Sequence, residues 1–258
     1  MGIDKKILEC ELQYSKCFSE FYENEKVIRF RDSKLTDMYY HNYTYIDSSL
    51  EMDTLKHIID NEITLRLSEE CNYCNIILDD VVDNPLQVND KYKAEVSTKG
   101  YYSFDISYFS KLAMIPDCIV KKVDNQKIID DLLFCDLQHD EETLGKDFCT
   151  RRCYRRGEVY ISDKGVDSYV CYHQGNIIGN CDLFIYEDIA KIEDFSVLPK
   201  YQRKGYGTTI LKAVIDISIK ENCKTIYLNT YEDDTAKEMY IKNGFYKIGE
   251  SSDLFFKL

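Results

Sequence analysis

Apolar residues recur along this chain with two spacings, about 3.6 residues in some stretches and two in others, and the spacings mark out helices and strands. A charged first helix is expected over Ile3 to Phe18, followed by strand-like KVIRF at 26–30 and an aromatic, polar segment, DMYYHNYTY, at 37–45. Leu55, Ile58, Ile59 and Ile63 stripe one face of a helix ending near Glu70, and Ser48-x-x-Glu51 reads as its capping box. NIIL at 75–78 and YYSFDISYF at 101–109 read as strands, with Pro85 and its DN and ND neighbours marking loops.

Pro116 is the best boundary, dividing the chain into an accessory α+β domain at 1–115 and a second domain at 116–258. Beyond it, CIVKKV at 118–123 is a strand. Asn125 to Cys135 is a helix with Ile128, Ile129, Leu132 and Leu133 inward, and Glu141 to Arg156 is another. Residues 166–197 give three strands joined by turns at Gln174–Asn176 and near Glu187–Asp188. Thr208 to Glu221 repeats apolar residues at helical spacing, and TIYLNT at 225–230 is a strand. Thr235 to Asn243 is a short helix with Ala236, Met239 and Tyr240 on one face, Asp233 or Asp234 as its cap and Gly244 as its stop. Two last strands, Phe245 to Gly249 and Leu254 to Leu258, are expected to complete the sheet.

The junction FSVLPKYQRKGYG, Phe195 to Gly207, runs from a strand through a turn into a helix. Backbone N–H groups from Arg203 to Thr208 lie where a helix start leaves donors unpaired and where the helix dipole is positive, so an anion belongs there. Gly205 and Gly207 carry no Cβ to hold a diphosphate away. A dinucleotide fingerprint is excluded because position 210 is Ile210, and a Walker loop because Gly207 is followed by Thr208 and Thr209.

Gln202-x-x-Gly205-x-Gly207, preceded by Val197 and Pro199, resembles the acyl-CoA loop of the GNAT acetyltransferases. Ala236-x3-Tyr240-x3-Gly244-Phe245 is similar to the family's second signature, with Asp233 where an Asn often stands. The resemblance covers roughly 116–258. It implies an α+β GNAT acyltransferase fold, a mixed, mostly antiparallel sheet flanked by helices, with acetyl-CoA as co-substrate and no metal. It also implies roles: Gln202, Arg203, Lys204, Gly205, Tyr206, Gly207 and Thr208 around the diphosphate, backbone groups of Phe195 and Val197 along the pantetheine arm, and Tyr240 as the acid that protonates sulfur. Strand alternation puts Glu193 on the face of Phe195 and Val197, which makes it the candidate base, and turns Asp194 away. The helix carrying Arg151, Arg152, Arg155 and Arg156 lies where the family walls its acceptor site; the alternative is that these arginines stabilise a last turn before Gly157. The N-terminal half has a helix-then-strands order that suits a degenerate half-copy of the same fold, as in tandem GNAT proteins, without an internal repeat to support it.

Composition narrows the partners. At 258 residues with 44% hydrophobic and 13% aromatic content, the chain can bury a substantial core. No apolar run approaches the roughly 20 residues of a membrane helix, and MGIDKKILECELQ is too charged for a signal peptide, so a cytoplasmic location is expected. Eleven cysteines are an odd, scattered set, best read as reduced thiols, and Cys71-x2-Cys74 lacks a second pair at zinc spacing. A net charge of −13 argues against nucleic acid. It suits a cationic acceptor, or merely a soluble surface. His41, alone among tyrosines, reads as structural. The sequence thus predicts a monomeric or homodimeric N-acetyltransferase acting on a primary amine of a small molecule or peptide. The competing reading is a non-catalytic acyl-CoA sensor acting through the first domain.

Overall fold

In the computed structural model, which describes residues 2–82, 91–162 and 164–258, the Asp4 carboxylate accepts from the Lys6 N–H (2.8 Å) and so caps α1, Lys5–Phe18. The loop expected around Pro85 lies outside the described residues. After α1 come β1 (Glu20–Asn24), β2 (Val27–Arg31), β3 (Thr44–Ile46), α2 (Met52–Ser68), β4 (Tyr73–Leu78) and β5 (Glu95–Phe104). Next are β6 (Cys118–Lys122), α3 (Gln126–Leu144), α4 (Lys146–Tyr160), β7 (Val166–His173), β8 (Asn176–Tyr186) and β9 (Ile189–Val197). The chain ends with α5 (Tyr206–Lys220), β10 (Thr225–Tyr231), α6 (Ala236–Lys242) and β11 (Phe245–Lys257). Two compact units form: the first from Met1–Tyr101, Thr230–Lys237 and Lys247–Leu258, the second from Tyr102–Asn229 and Glu238–Tyr246.

In the first unit, β1, β2 and β3 form an antiparallel meander, α2 crosses over to β4 parallel to β3, and β11 pairs antiparallel with β4. The predicted stripe of α2 is buried: Leu55, Ile59 and Ile63 pack with Ile76, Leu78, Leu254 and Phe256. The capping box does not form. Helix α2 starts after Glu51 with no side-chain cap, and the Ser48 N–H donates instead to Asp79 Oδ1 at 2.8 Å. Glu62, on the same helix, is buried because the Arg29 guanidinium grips its carboxylate and Thr44 Oγ1 donates to it at 3.0 Å. His41 is buried, 3.0 Å from Asp32 and stacked 4.8 Å from Phe18, the structural role expected of it.

The second unit repeats this topology at larger scale. β6, β7, β8 and β9 are antiparallel neighbours, and α5 crosses over to β10 parallel to β9. Gln174 and Gly175, with φ of 49° and 77°, turn β7 tightly into β8 where a hairpin was expected. Of the two helices between β6 and β7, α3 runs further than its apolar stripe suggested and α4 starts later than expected, because they divide at Gly145, whose φ of 81° stops α3. Gly157 therefore lies inside α4, packed on Ile129, and the arginines before it belong to no last turn.

Two expectations about strands change. The segment 101–109 contains only the end of β5, followed by a 3-10 turn at Ile106–Lys111. The C-terminus is one strand of 13 residues rather than two, with β5 as its neighbour in the sheet, so a strand from the N-terminal half stands where a second C-terminal strand was expected.

Candidate active site

Strand β9 carries an extra residue. Its pairing with β8 shifts register between Asn180, opposite Ser196, and Asp182, opposite Glu193, so Asp194 and Phe195 face a single residue, Cys181. At the bulge Asp194 has φ of 49°, a left-handed conformation usually given to glycine. On the other side, the parallel pairing of β9 with β10 runs from Ile189 and Thr225 to Ile192 and Leu228 and goes no further. Beyond that point the two strands part. The Leu198 N–H donates to Ile178 O at 2.8 Å, so alternation along the antiparallel ladder turns the backbone groups of Val197 and Phe195 away from β8, toward the opening. By contrast, every residue of β3 is paired with β4, so the corresponding strands of the first unit do not part there.

At the end of β9 the loop enters α5 as the spacing predicted. Gly205 precedes the helix with φ of 90°, and no side chain caps it, which leaves the first-turn N–H groups of Tyr206, Gly207 and Thr208 without helical partners. Gly207 has a different reason to be glycine: a Cβ there would lie 3.3 Å from Phe195 Cζ and 3.6 Å from Val197 Cγ2, so its absence lets the helix start press against the strand. Gln202 Nε2 donates to Val197 O (3.0 Å) and fastens the loop to the strand end. Thr208 Oγ1 donates to Asn243 Oδ1 (2.9 Å), and Tyr206 Oη lies 2.7 Å from His173 Nδ1. Lys200, Arg203 and Lys204 are exposed around this entrance, a local positive patch on an acidic chain. The equivalent crossover in the first unit, residues 47–51, contains Asp47 and Glu51 and no glycine, and would repel an anion.

Where β9 and β10 separate there is a cavity of about 200 Å³ lined by Ile192, Glu193, Asp194, Phe195, Leu228, Asn229 and Tyr240. Asp234 Oδ1 accepts from the Ala236 N–H at 2.8 Å and starts α6, which brings Tyr240 to this wall. The Tyr240 ring lies edge-on to Phe195 and to Phe245, with centroids 6.1 Å and 6.0 Å away, so it is both packed and at the cavity. Glu193 is partly exposed, with Lys191 Nζ 2.8 Å from its Oε2. Tyr240 and Glu193 therefore meet in one cavity, and Phe195 joins them; Gln202 to Thr208 sit at the adjoining helix entrance.

Behind the bulge is a buried charge cluster that the sequence did not disclose. Arg156 of α4 reaches both Asp182 (2.7 Å) and Asp194 (2.8 Å), Tyr160 Oη donates to Asp182 (2.6 Å), and Arg152 bridges Asp136 (3.1 Å) and Asp140 (2.5 Å). Burial pushes the Asp182 carboxyl up to about 7 against the pull of Arg156, and burial with the nearby Asp194 charge pushes Asp136 up to about 6. Arg152 and Arg156 are thus buried in ion pairs instead of stabilising a last turn at the surface. The available signal was Asn180 and Asp182, polar residues inside the otherwise apolar run of β8. Among the described residues no group of His, Cys, Asp and Glu is placed to hold a metal, and no helix is long and apolar enough to cross a membrane.

Comparison with known proteins adds four likenesses. Residues 129–245 match the model of the acetyltransferase (GNAT) family. Over 254 residues, 92% of each chain, the sequence is 24% identical to an uncharacterized N-acetyltransferase, CgeE, of Bacillus subtilis strain 168. Among solved structures, a functionally unknown conserved protein from Staphylococcus epidermidis ATCC 12228 aligns with a TM-score of 0.76 at 16% identity, over 93% of this chain and 94% of that one. A GCN5-related N-acetyltransferase from Kribbella flavida aligns with a TM-score of 0.67 at 10% identity, over 99% and 96%. At such identities the structural likeness is one of fold.

Proposed function

We propose a reaction from one premise: residues 129–245 match the model of the acetyltransferase (GNAT) family. The reading is an N-acetyltransferase that moves an acetyl group from acetyl-CoA to a primary amine of a small molecule or peptide, in the cytoplasm. The observation that carries it is the parting of β9 and β10 beyond Ile192 and Leu228, beside a helix entrance with uncapped amides. The diphosphate fits those amides and the cations Lys200, Arg203 and Lys204, and the pantetheine arm fits the outward backbone groups of Phe195 and Val197.

The chemistry needs an amine, of ordinary pKa near 10, to lose a proton before it attacks. Glu193 takes that proton, directly or through water. The amine nitrogen then bonds to the thioester carbon, the Val197 N–H stabilises the oxygen as it becomes negative, and the C–S bond breaks. Tyr240 gives its proton to the departing sulfur and regains one from the nitrogen, which sheds its second proton as the amide forms. The products are the acetylated amine and CoA thiol, with the first proton left on Glu193. The Glu193 carboxylate at the cavity favours a cationic acceptor. The first unit, in which β3 stays paired with β4 and the crossover is acidic, acts as an accessory domain.

The test is release of CoA thiol from acetyl-CoA with a panel of amines, alongside calorimetric binding of acetyl-CoA. Turnover with at least one amine supports the reading. Tight binding without turnover across a broad panel favours the sensor, and no binding at all defeats both.

A further inference from the structure

The bulge that opens β9 is held at an unfavourable residue. Asp194 carries a Cβ into a left-handed conformation, φ 49°, that glycine adopts at no steric cost. Three contacts converge on it. Asn180 Nδ2 donates to the Asp194 carbonyl oxygen at 2.8 Å and to its Oδ2 at 3.1 Å, and Arg156 lies 2.8 Å from the same Oδ2. Asn180 is itself fixed, since Ser196 Oγ donates to its Oδ1 at 2.5 Å, so one buried amide spans the bulge from Ser196 to Asp194. Arg156 is anchored by Asp182, which has no exposed surface and is also held by Tyr160.

We propose that Arg156 and Asn180 are positioning residues: by clamping Asp194 in the left-handed region they fix the bulge, and with it the open edge of β9 that receives the thioester arm. The inference rests on the coenzyme-binding reading above and goes beyond it by naming what sets the geometry of that edge. The clamp acts through Asp194 and the bulge, with no contact of its own to the coenzyme. It lies one side of the strand while the helix entrance lies at its end, so its effect should fall on the arm and spare the nucleotide.

The experiment compares Asp194→Ala with Asp194→Gly, both of which remove the carboxylate and leave Arg156 paired with Asp182. Alanine resists the left-handed conformation and glycine does not. Calorimetry with acetyl-CoA and with adenosine 3′,5′-diphosphate, which has no arm, reads the result. Asp194→Ala should weaken acetyl-CoA binding about tenfold, Asp194→Gly should recover most of that loss, and the diphosphate should bind all three proteins alike. In the Asp194→Ala protein, Asn180→Ala should then add little further loss.

Equal weakening in the alanine and glycine variants would mean that the carboxylate touches the ligand, which overturns the clamp. Unchanged acetyl-CoA binding in both, or parallel loss of the diphosphate, overturns it as well. Failure of the unaltered protein to bind either ligand would instead defeat the coenzyme-binding reading beneath it.

Discussion

Phe195 and Gly207 meet so closely that one methyl group added at position 207 would come within 3.3 Å of the Phe195 ring, which joins the helix start of α5 to the open part of β9 as a single unit. Gly207→Val should therefore push the helix entrance away from the strand, and Gly205→Val should both obstruct the entrance and oppose the backbone at φ 90°. Each should lower acetyl-CoA affinity by about tenfold or more, read by calorimetry. Normal affinity in both would remove this loop from coenzyme binding.

Tyr240→Phe keeps the ring that packs on Phe195 and Phe245 and removes only the hydroxyl. Turnover should fall by about tenfold or more while acetyl-CoA affinity stays within about twofold. Unaltered turnover with a working acceptor would take Tyr240 out of the reaction.

The buried cluster makes stability depend on pH. The folded protein holds the Asp182 proton up to about 7 and that of Asp136 up to about 6, while the unfolded chain releases both near the ordinary value of 3.8. A folded state that binds more protons than the unfolded one loses stability as pH rises, here between about 4 and 7. Asp182→Asn deletes one of these protons, so its urea midpoint should decline less steeply over that range than that of the unaltered protein. Identical slopes would show that Asp182 titrates no differently in the two states.

Leu254 and Phe256 are fully buried among Ile46, Ile59 and Ile76 of the first unit. Phe256→Ala should cost about 3–5 kcal/mol of stability, measured by denaturant unfolding. Hydrogen exchange should show the loss in β4, the strand directly paired with residues 252–257. Protection in β4 that survives the substitution would contradict the pairing.

The elements of the second half were legible wherever apolar spacing and turn residues agreed. The three-strand meander ends where Gln174, Gly175 and Glu187 were expected to turn it, and Gly205 and Gly244 stand at helix boundaries with φ near 90°. The edge strand β1 escaped notice because all five of its residues are exposed and carry no alternation. The break between α3 and α4 was hidden because Gly145 interrupts a polar stretch, where no apolar period exists to be broken. At the site, short motifs found the loop and Tyr240. The clamp on Asp194 could not be read, since Arg156, Asn180 and Asp194 come together only through packing of α4 on the sheet. The missing second C-terminal strand has the same origin: β5 takes the place beside β11 from more than a hundred residues upstream.

Strand β11 also sets the order in which this molecule can be made. Its residues 247–257 close the unit that the first hundred residues begin, so that unit still lacks a strand while the ribosome synthesises the whole of the second. The usual sequence of vectorial synthesis, in which the N-terminal part matures first, is inverted here. Until residues 247–257 are translated, the nascent chain carries β4 as an apolar strand whose border toward β11 is unpaired.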